Sequence, residues 1–319
     1  MFSSSNSIRA RRVAGTAALG FAAVLGLAAC GSSAADDAAG SGNPDTLVFA
    51  SIPSEESQSL QQEYKLVTDV IEKETGKTVE FLNASDYAAV IEAQRAGKVQ
   101  IAAYGPFSYV TAKDSGVGTI AAAAAVDEEG TDPGYQSYAI VNPDSGITSL
   151  ADMRGKTICF VDPTSTSGYL YPSAGLLEAG IDPAKDITPV FAGGHDASAL
   201  AVASGQCDGG FAYDTMVDVA LPSKGELAPG AVNVIWKSEE IAGSPITVSD
   251  DLDPALRDQI VEILQTKITV PQLIAGGYCT SADDCTLPED KKFGYVPVDD
   301  ASFDGVRKVC ETTKAEACQ

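Results

Sequence analysis

From Thr46 onward, apolar and polar positions alternate between short strand-like runs and longer runs at helical spacing. Leu47 to Ser51 reads as a strand; Leu60, Tyr64, Val67, Val70 and Ile71 then recur at helical spacing until Gly76 stops the run. Thr78 to Leu82 reads as the next strand. Asp86 is placed to cap a helix running to Ala96, Gly97 closes it, and Val99 to Ala103 follows as a strand. The order is βαβαβ, the signature of an α/β architecture with parallel sheets.

A second unit starts after the Pro133-Gly134 turn. Tyr135 to Val141, Thr157 to Val161, Ile187 to Phe191 and Gly209 to Ala212 read as strands, with helices near Tyr169 to Ala179 and Ala197 to Ser204. Val232 to Trp236 and Ile246 to Val248 are further short strands, and Pro254 to Thr266 is a helix with proline at its start. The simplest arrangement is two α/β lobes, residues 46–134 plus 241–319 and residues 135–240. The chain would leave the first lobe near Tyr135 and return near Ile241. A length of 319 residues agrees with about two domains.

The N-terminus does not belong to this pattern. Arg9, Arg11 and Arg12 precede an uncharged, largely apolar stretch from Val13 to Ala29, and Leu27-Ala28-Ala29 brings small residues up to Cys30. Residues 1–29 therefore read as a signal peptide; the stretch is short for a membrane span, and Arg11-Arg12 leaves twin-arginine export open. The end of the segment resembles the lipobox of bacterial lipoproteins, which implies cleavage before Cys30 and lipidation of that cysteine. Gly31 to Asp45 holds no large apolar residue and reads as a flexible tether with a reach of roughly 20 Å. The expected location is extracytoplasmic, anchored by lipid to the cell membrane.

Charge narrows the partners. The net charge of −23 becomes −26 once three arginines leave with the signal peptide, and no basic cluster lies outside the N-terminus. Nucleic acid is thereby disfavoured, because neutralising phosphates needs a local excess of Lys and Arg. With Cys30 assigned to lipid, six cysteines remain in an oxidising compartment. Fifteen connectivities are open. Cys159 with Cys207, Cys279 with Cys285 and Cys310 with Cys318 are favoured: the last two pairs are close in sequence, and the first joins neighbouring strands. No CxxC spacing and a single histidine argue against a metal site, and no cofactor is expected.

Ligands of open α/β sheets bind at the carboxyl ends of strands. The unusual polar residues gather there: Tyr104 after one strand, Thr164-Ser165-Thr166-Ser167-Gly168 after another, His195-Asp196 after a third, and Tyr213-Asp214 after a fourth. The hydroxyl run also opens a helix, where free N–H groups and the helix dipole favour an anion. Taken singly, each has a bland explanation, the hydroxyls and Asp214 as helix caps and the tyrosines and His195 as satisfied core groups. Their coincidence at matching strand ends favours a site.

The segments Ser85-Asp86-Tyr87-Ala88-Ala89-Val90-Ile91, Tyr104-Gly105-Pro106, Asp162-Pro163-Thr164-Ser165-Thr166-Ser167-Gly168 and Gly194-His195-Asp196-Ala197-Ser198-Ala199-Leu200 resemble the phosphate, phosphite and phosphonate substrate-binding proteins of ABC importers. The resemblance covers roughly Thr46 to Gln265 and leaves the tail from Thr266 to Gln319 without a role. It implies a two-lobed, periplasmic-binding-protein-like fold of type II with a ligand cleft between the lobes, and no enzymatic activity. It further implies that Tyr87, Tyr104, Ser165, Thr166, Ser167 and His195 hold a phosphorus oxyanion, which a membrane permease of the ABC type receives. The acids that hold the amine of aminoalkylphosphonates in such proteins align with Thr215 and Ser244, both uncharged here. Phosphite, phosphate or a small alkylphosphonate is the implied ligand.

Further expectations concern roles. Asp214 is expected at the rim of the site, accepting a proton from the ligand, and Thr164 adds a hydroxyl. His195 is expected to donate to a ligand oxygen, more strongly when protonated. The lobes are expected to close on the ligand, and the protein to be a monomer. Two other readings stay open: a receptor for an unrelated organic solute, and a hydrolase built on Ser165, His195 and Asp214, against which the missing G-x-S-x-G elbow counts.

Overall fold

The computed structural model describes residues 42–318. Up to residue 41, the segments read as a signal peptide and a tether, with Cys30 between them, lie outside the described residues. Two sheets organise the chain. In the first lobe, β1 (Thr46–Ser51) leads through α1 (Ser57–Glu63) and α2 (Lys65–Thr75) to β2 (Thr78–Asn83), and α3 (Tyr87–Arg95) leads to β3 (Ile101–Ala103). Both β2 and β3 run parallel to β1, the expected βαβαβ unit. Its stops are those the residues dictate: Gly76 ends α2 at φ 68°, and the Asp86 carboxylate accepts the Ala89 N–H at 2.8 Å. The helix read from Leu60 to Ile71 is interrupted at Tyr64, whose buried ring lies 5.2 Å from that of Phe49.

α4 (Pro106–Asp114) and β4 (Thr119–Val126) follow; the ribbon strand β5 (Gly134–Tyr135) then precedes the second lobe. There β6 (Ser137–Val141), β7 (Thr157–Phe160), α5 (Tyr171–Glu178), β8 (Thr188–Phe191), α6 (His195–Ala203), β9 (Gly209–Tyr213), α7 (Leu221–Ser223) and β10 (Asn233–Lys237) form a five-stranded sheet of order β10-β6-β9-β7-β8 with its helices. The chain returns through β11 (Ile241–Ala242), antiparallel to β5, and β12 (Pro245–Ser249). α8 (Pro254–Thr266), α9 (Val270–Ala275), β13 (Gly294–Pro297) and α10 (Asp304–Thr313) complete it. The first sheet has the order β13-β4-β12-β3-β1-β2.

The sheets are mixed, not parallel throughout. β12 runs antiparallel to both β3 and β4, and β13 antiparallel to β4; β6 runs antiparallel to β9 and β10 to β6. These strands enter from the ribbon or from the tail, so no right-handed crossover helix dictates their direction. In β4, five consecutive alanines sit in an interior strand although alanine is the best helix former. Pairing on both sides and packing of α8 across the small side chains override that propensity.

The tail from Thr266 is part of this architecture. β13 extends the first sheet, and on α10 Val306 and Cys310 join a buried cluster with Tyr109 of the first lobe and Leu170 and Tyr171 of the second. The cysteines pair as Cys159–Cys207, Cys279–Cys285 and Cys310–Cys318, the pairing the sequence favours. Among the described residues no helix is long and apolar enough to cross a membrane, and no cluster of His, Cys, Asp and Glu is arranged to hold a metal.

Candidate functional site

Between the lobes, the carboxyl ends of β1, β3, β7 and β9 converge on a cavity of about 40 Å³. That is the space of a few water molecules or one small tetrahedral anion. Its wall includes Ser51, Ser54, Tyr64, Tyr87, Tyr104, Tyr135, Ser165, Thr166, Ser167, His195 and Tyr213, with Glu63, Ser244 and Glu289.

The hydroxyl run follows β7 and opens a helical segment, a π turn over Thr166–Leu170 continuing into α5. Ser165 caps it, its Oγ accepting the Gly168 N–H at 3.1 Å, and keeps its own proton to donate. Gly168 is required here, since a Cβ would lie 2.4 Å from Val161. Among the described residues nothing in the chain accepts from the N–H groups of Thr166 and Ser167, as befits a first helical turn. The Thr166 hydroxyl accepts the Phe107 N–H at 2.8 Å, tying the start of α4 in the other lobe to this turn. All three hydroxyl residues from 165 to 167 are buried.

His195 opens α6, and its N–H donates to Ser54 O at 2.7 Å across the cleft. Its Nδ1 accepts the Tyr213 N–H at 3.2 Å, so the proton of the neutral ring sits on Nε2, 3.4 Å from Ser165 Oγ and facing the cavity. Burial holds the ring pKa down to about 3. His195 is therefore placed in this structure as a neutral donor through Nε2. The same tautomer removes the hydrolase reading, because an Nε2 that carries a proton cannot take one from Ser165.

Three expected ligand residues are differently engaged. Tyr104 lines the cavity, but its hydroxyl donates to Gln94 Oε1 at 3.1 Å. Thr164 turns its hydroxyl to Asp162 at 2.7 Å. The Asp214 carboxylate accepts the N–H groups of Gln136 at 3.1 Å and Thr215 at 2.9 Å, and it is not part of the cavity wall. Tyr104 and Thr164 are taken by partners ten and two residues away, and Asp214 by the amide of its neighbour Thr215 and that of Gln136, between β5 and β6. Tyr87 is the opposite case: its ring is 1% exposed and its hydroxyl has no hydrogen-bond partner. A buried unpaired hydroxyl costs about 1 to 3 kcal/mol unless a ligand satisfies it.

Glu55, Glu63 and Glu289 were not anticipated. Glu63 sits in a polar stretch that reads as a solvated helix face, and Glu289 lies in the charged Pro288-Glu289-Asp290-Lys291-Lys292 run. Glu289 and Asp290 adopt φ of 59° and 57°, a left-handed turn that sequence does not signal at such residues. Glu55 receives Lys224 of the second lobe at 2.6 Å, and the Glu56 N–H donates to Asp196 at 3.1 Å, so polar contacts cross the cleft beside the cavity.

Residues 49–267 match the family model described as the ABC transporter, phosphonate, periplasmic substrate-binding protein. The chain is 43% identical to the phosphate-import protein PhnD of Mycolicibacterium smegmatis, over 98% of this chain and 99% of that one. It is 34% identical to the phosphonates-binding periplasmic protein of Escherichia coli, over 71% of this chain and 67% of that one. Among solved structures, a binding component of an ABC phosphonate transporter from Pseudomonas aeruginosa superposes with a TM-score of 0.72 at 27% identity, covering 84% of this chain and 86% of that one.

Proposed function

Because the chain belongs to the periplasmic phosphonate substrate-binding protein family of ABC transporters, a family of carriers and not of enzymes, we propose that its cleft holds a small phosphorus oxyanion for delivery to a membrane permease. The observation that carries this reading is the donor wall: Ser165, Thr166, Ser167 with its free amides, the Nε2–H of His195 and the unpartnered hydroxyl of Tyr87 meet at one cavity. Micromolar binding needs about −8 kcal/mol, and hydrogen bonds to a charged group contribute roughly 1.5 to 3 kcal/mol each. Five or so such donors are sufficient even after several kcal/mol of association cost. The relatives that transport phosphate and phosphonates, and the size of the cavity, favour phosphate, phosphite or methylphosphonate over larger ligands.

In this reading residues 46–134 with 241–319 form one lobe and residues 135–240 the other, hinged at the β5–β11 ribbon and closing on the ligand. Cys30 carries the lipid, and the monomer works from the outer face of the cell membrane. Calorimetric titration of the ligand-stripped domain with phosphate, phosphite, methylphosphonate and sulfate tests it; silence toward all three phosphorus ligands refutes it. A Cys30→Ser variant is expected to leave the membrane fraction while retaining its ligand.

A further inference from the structure

Besides the donors, two carboxyl residues line the cavity, Glu63 at the end of α1 and Glu289 from the turn before β13. They are held together, since the Glu289 N–H donates to Glu63 Oε1. Glu63 lies beside Glu55, and Glu289 beside the Ser244 hydroxyl. The ionisable groups around the pair are Glu55, Asp127, Asp214, Lys224 and Lys291, with Tyr64, Tyr135, Tyr213 and Tyr295. The cations are engaged elsewhere: Lys224 ends on Glu55 at 2.6 Å and Lys291 on Asp127 at 3.2 Å. Burial pushes both carboxyls upward, and the charge of Glu55 adds to this for Glu63. Tyr87, buried and unpartnered on the same cavity, independently marks where a ligand oxygen belongs.

Ionised carboxyls facing an oxyanion repel it unless a proton lies between them. We infer that Glu63 and Glu289 determine specificity by each sharing one proton with a ligand oxygen, so that the cleft takes phosphorus oxyanions that bring acidic protons, with phosphate foremost, and rejects sulfate. This rests on the cleft being the phosphorus-oxyanion site. Dihydrogenphosphate offers two hydroxyls to the carboxyls and two bare oxygens to the donor wall. Sulfate arrives without protons, so the carboxyls must first take theirs from solvent. That requirement weakens sulfate binding by up to tenfold per proton for each pH unit above the carboxyl pKa.

The test is calorimetric titration of the ligand-stripped wild-type, Glu63→Gln and Glu289→Gln proteins with phosphate and sulfate. A glutamine amide donates to sulfate through nitrogen and still accepts from phosphate through oxygen. The expected result is a phosphate-to-sulfate preference reduced at least about tenfold in each variant, with phosphate still bound. An unchanged preference in both variants overturns the inference while leaving the phosphorus-oxyanion reading intact; wild-type silence toward phosphorus ligands overturns both. A second measurement needs no variant. From about pH 8 down to about pH 5, sulfate binding to the wild type is expected to strengthen steeply with proton uptake, far more than phosphate binding does. Sulfate affinity that is flat across that range also overturns the inference.

Discussion

The second-lobe wall of the cleft and the wall facing it differ in how they are built. On the second lobe, donors come from one turn after β7, where backbone geometry leaves N–H groups free, and from the His195 side chain at the helix start after β8. On the facing side, Glu63 with Tyr64, Ser244 and Glu289 come from three separate segments spanning more than two hundred residues of sequence. The first wall is a local motif; the second exists only once the tail has folded back. A donor wall alone would accept any small oxyanion, whereas carboxyls in the same cavity make the proton content of the ligand matter. The donors are what let a chain of strongly negative charge bind an anion, because fields of exposed charges farther than about 8 to 10 Å are screened while dipoles at contact are not.

The largest test of this division is on the donor side. Ser165→Ala is expected to weaken phosphate binding by roughly 10- to 100-fold through loss of a hydrogen bond to a charged group. Tyr104→Phe, whose hydroxyl already serves Gln94, is expected to change it by less than about threefold. Titration calorimetry on both variants reads the contrast directly, and equal losses would place Tyr104 among the donors after all.

His195 supplies a pH signature. Its ring stays neutral in the folded protein down to about pH 3 but titrates near 6.5 when unfolded. The unfolded chain therefore binds the extra proton between those values, and stability contributed by this group falls as pH is lowered through that window, by up to ~1.4 kcal/mol per pH unit. Above about pH 6.5 the contribution is constant. Glu63, Glu289, Asp196 and Asp214 have raised pKa values and oppose this slope, so the informative quantity is a difference. Urea unfolding of ligand-free His195→Gln across the window should show less acid destabilisation than the wild type.

The effect of Tyr87→Phe is expected to have opposite signs in two assays. Tyr87→Phe removes a hydroxyl that has no partner in the folded chain, so the ligand-free protein should be as stable as the wild type or more so by about 1 kcal/mol. Phosphate affinity should fall by roughly tenfold. A loss of thermal stability in the ligand-free variant would mean that the hydroxyl has a partner within the protein.

Much of this was legible in the residues. The strand and helix order, the capping by Asp86 and the stop at Gly76 follow from hydrophobic period and turn chemistry, and the hydroxyl run and His195 stand at strand ends by the same pattern; Tyr87 was implied only by the resemblance to the phosphonate-binding family. Those signals are local, and each element's neighbours in sequence suffice to express them. Tyr104, Thr164 and Asp214 sit at strand ends as the pattern suggested, yet what their polar atoms bond to depends on Gln94, Asp162 and the amides of Gln136 and Thr215. A strand end specifies a position; the hydrogen-bond competition around it is settled by packing.

What the sequence determined by itself is the alternation of elements, the donor motif and the charge that disfavours nucleic acid. Only the tertiary structure decided the antiparallel return of β12, β4 and β13, the strand state of the Ala121–Ala125 run, and the tautomer of His195. It alone also brought Glu289 across from the tail to Glu63. The reason is physical: helix caps and hydrophobic periods are written within a few residues, whereas strand direction, proton position and the meeting of two distant carboxyls depend on partners that sequence separation hides.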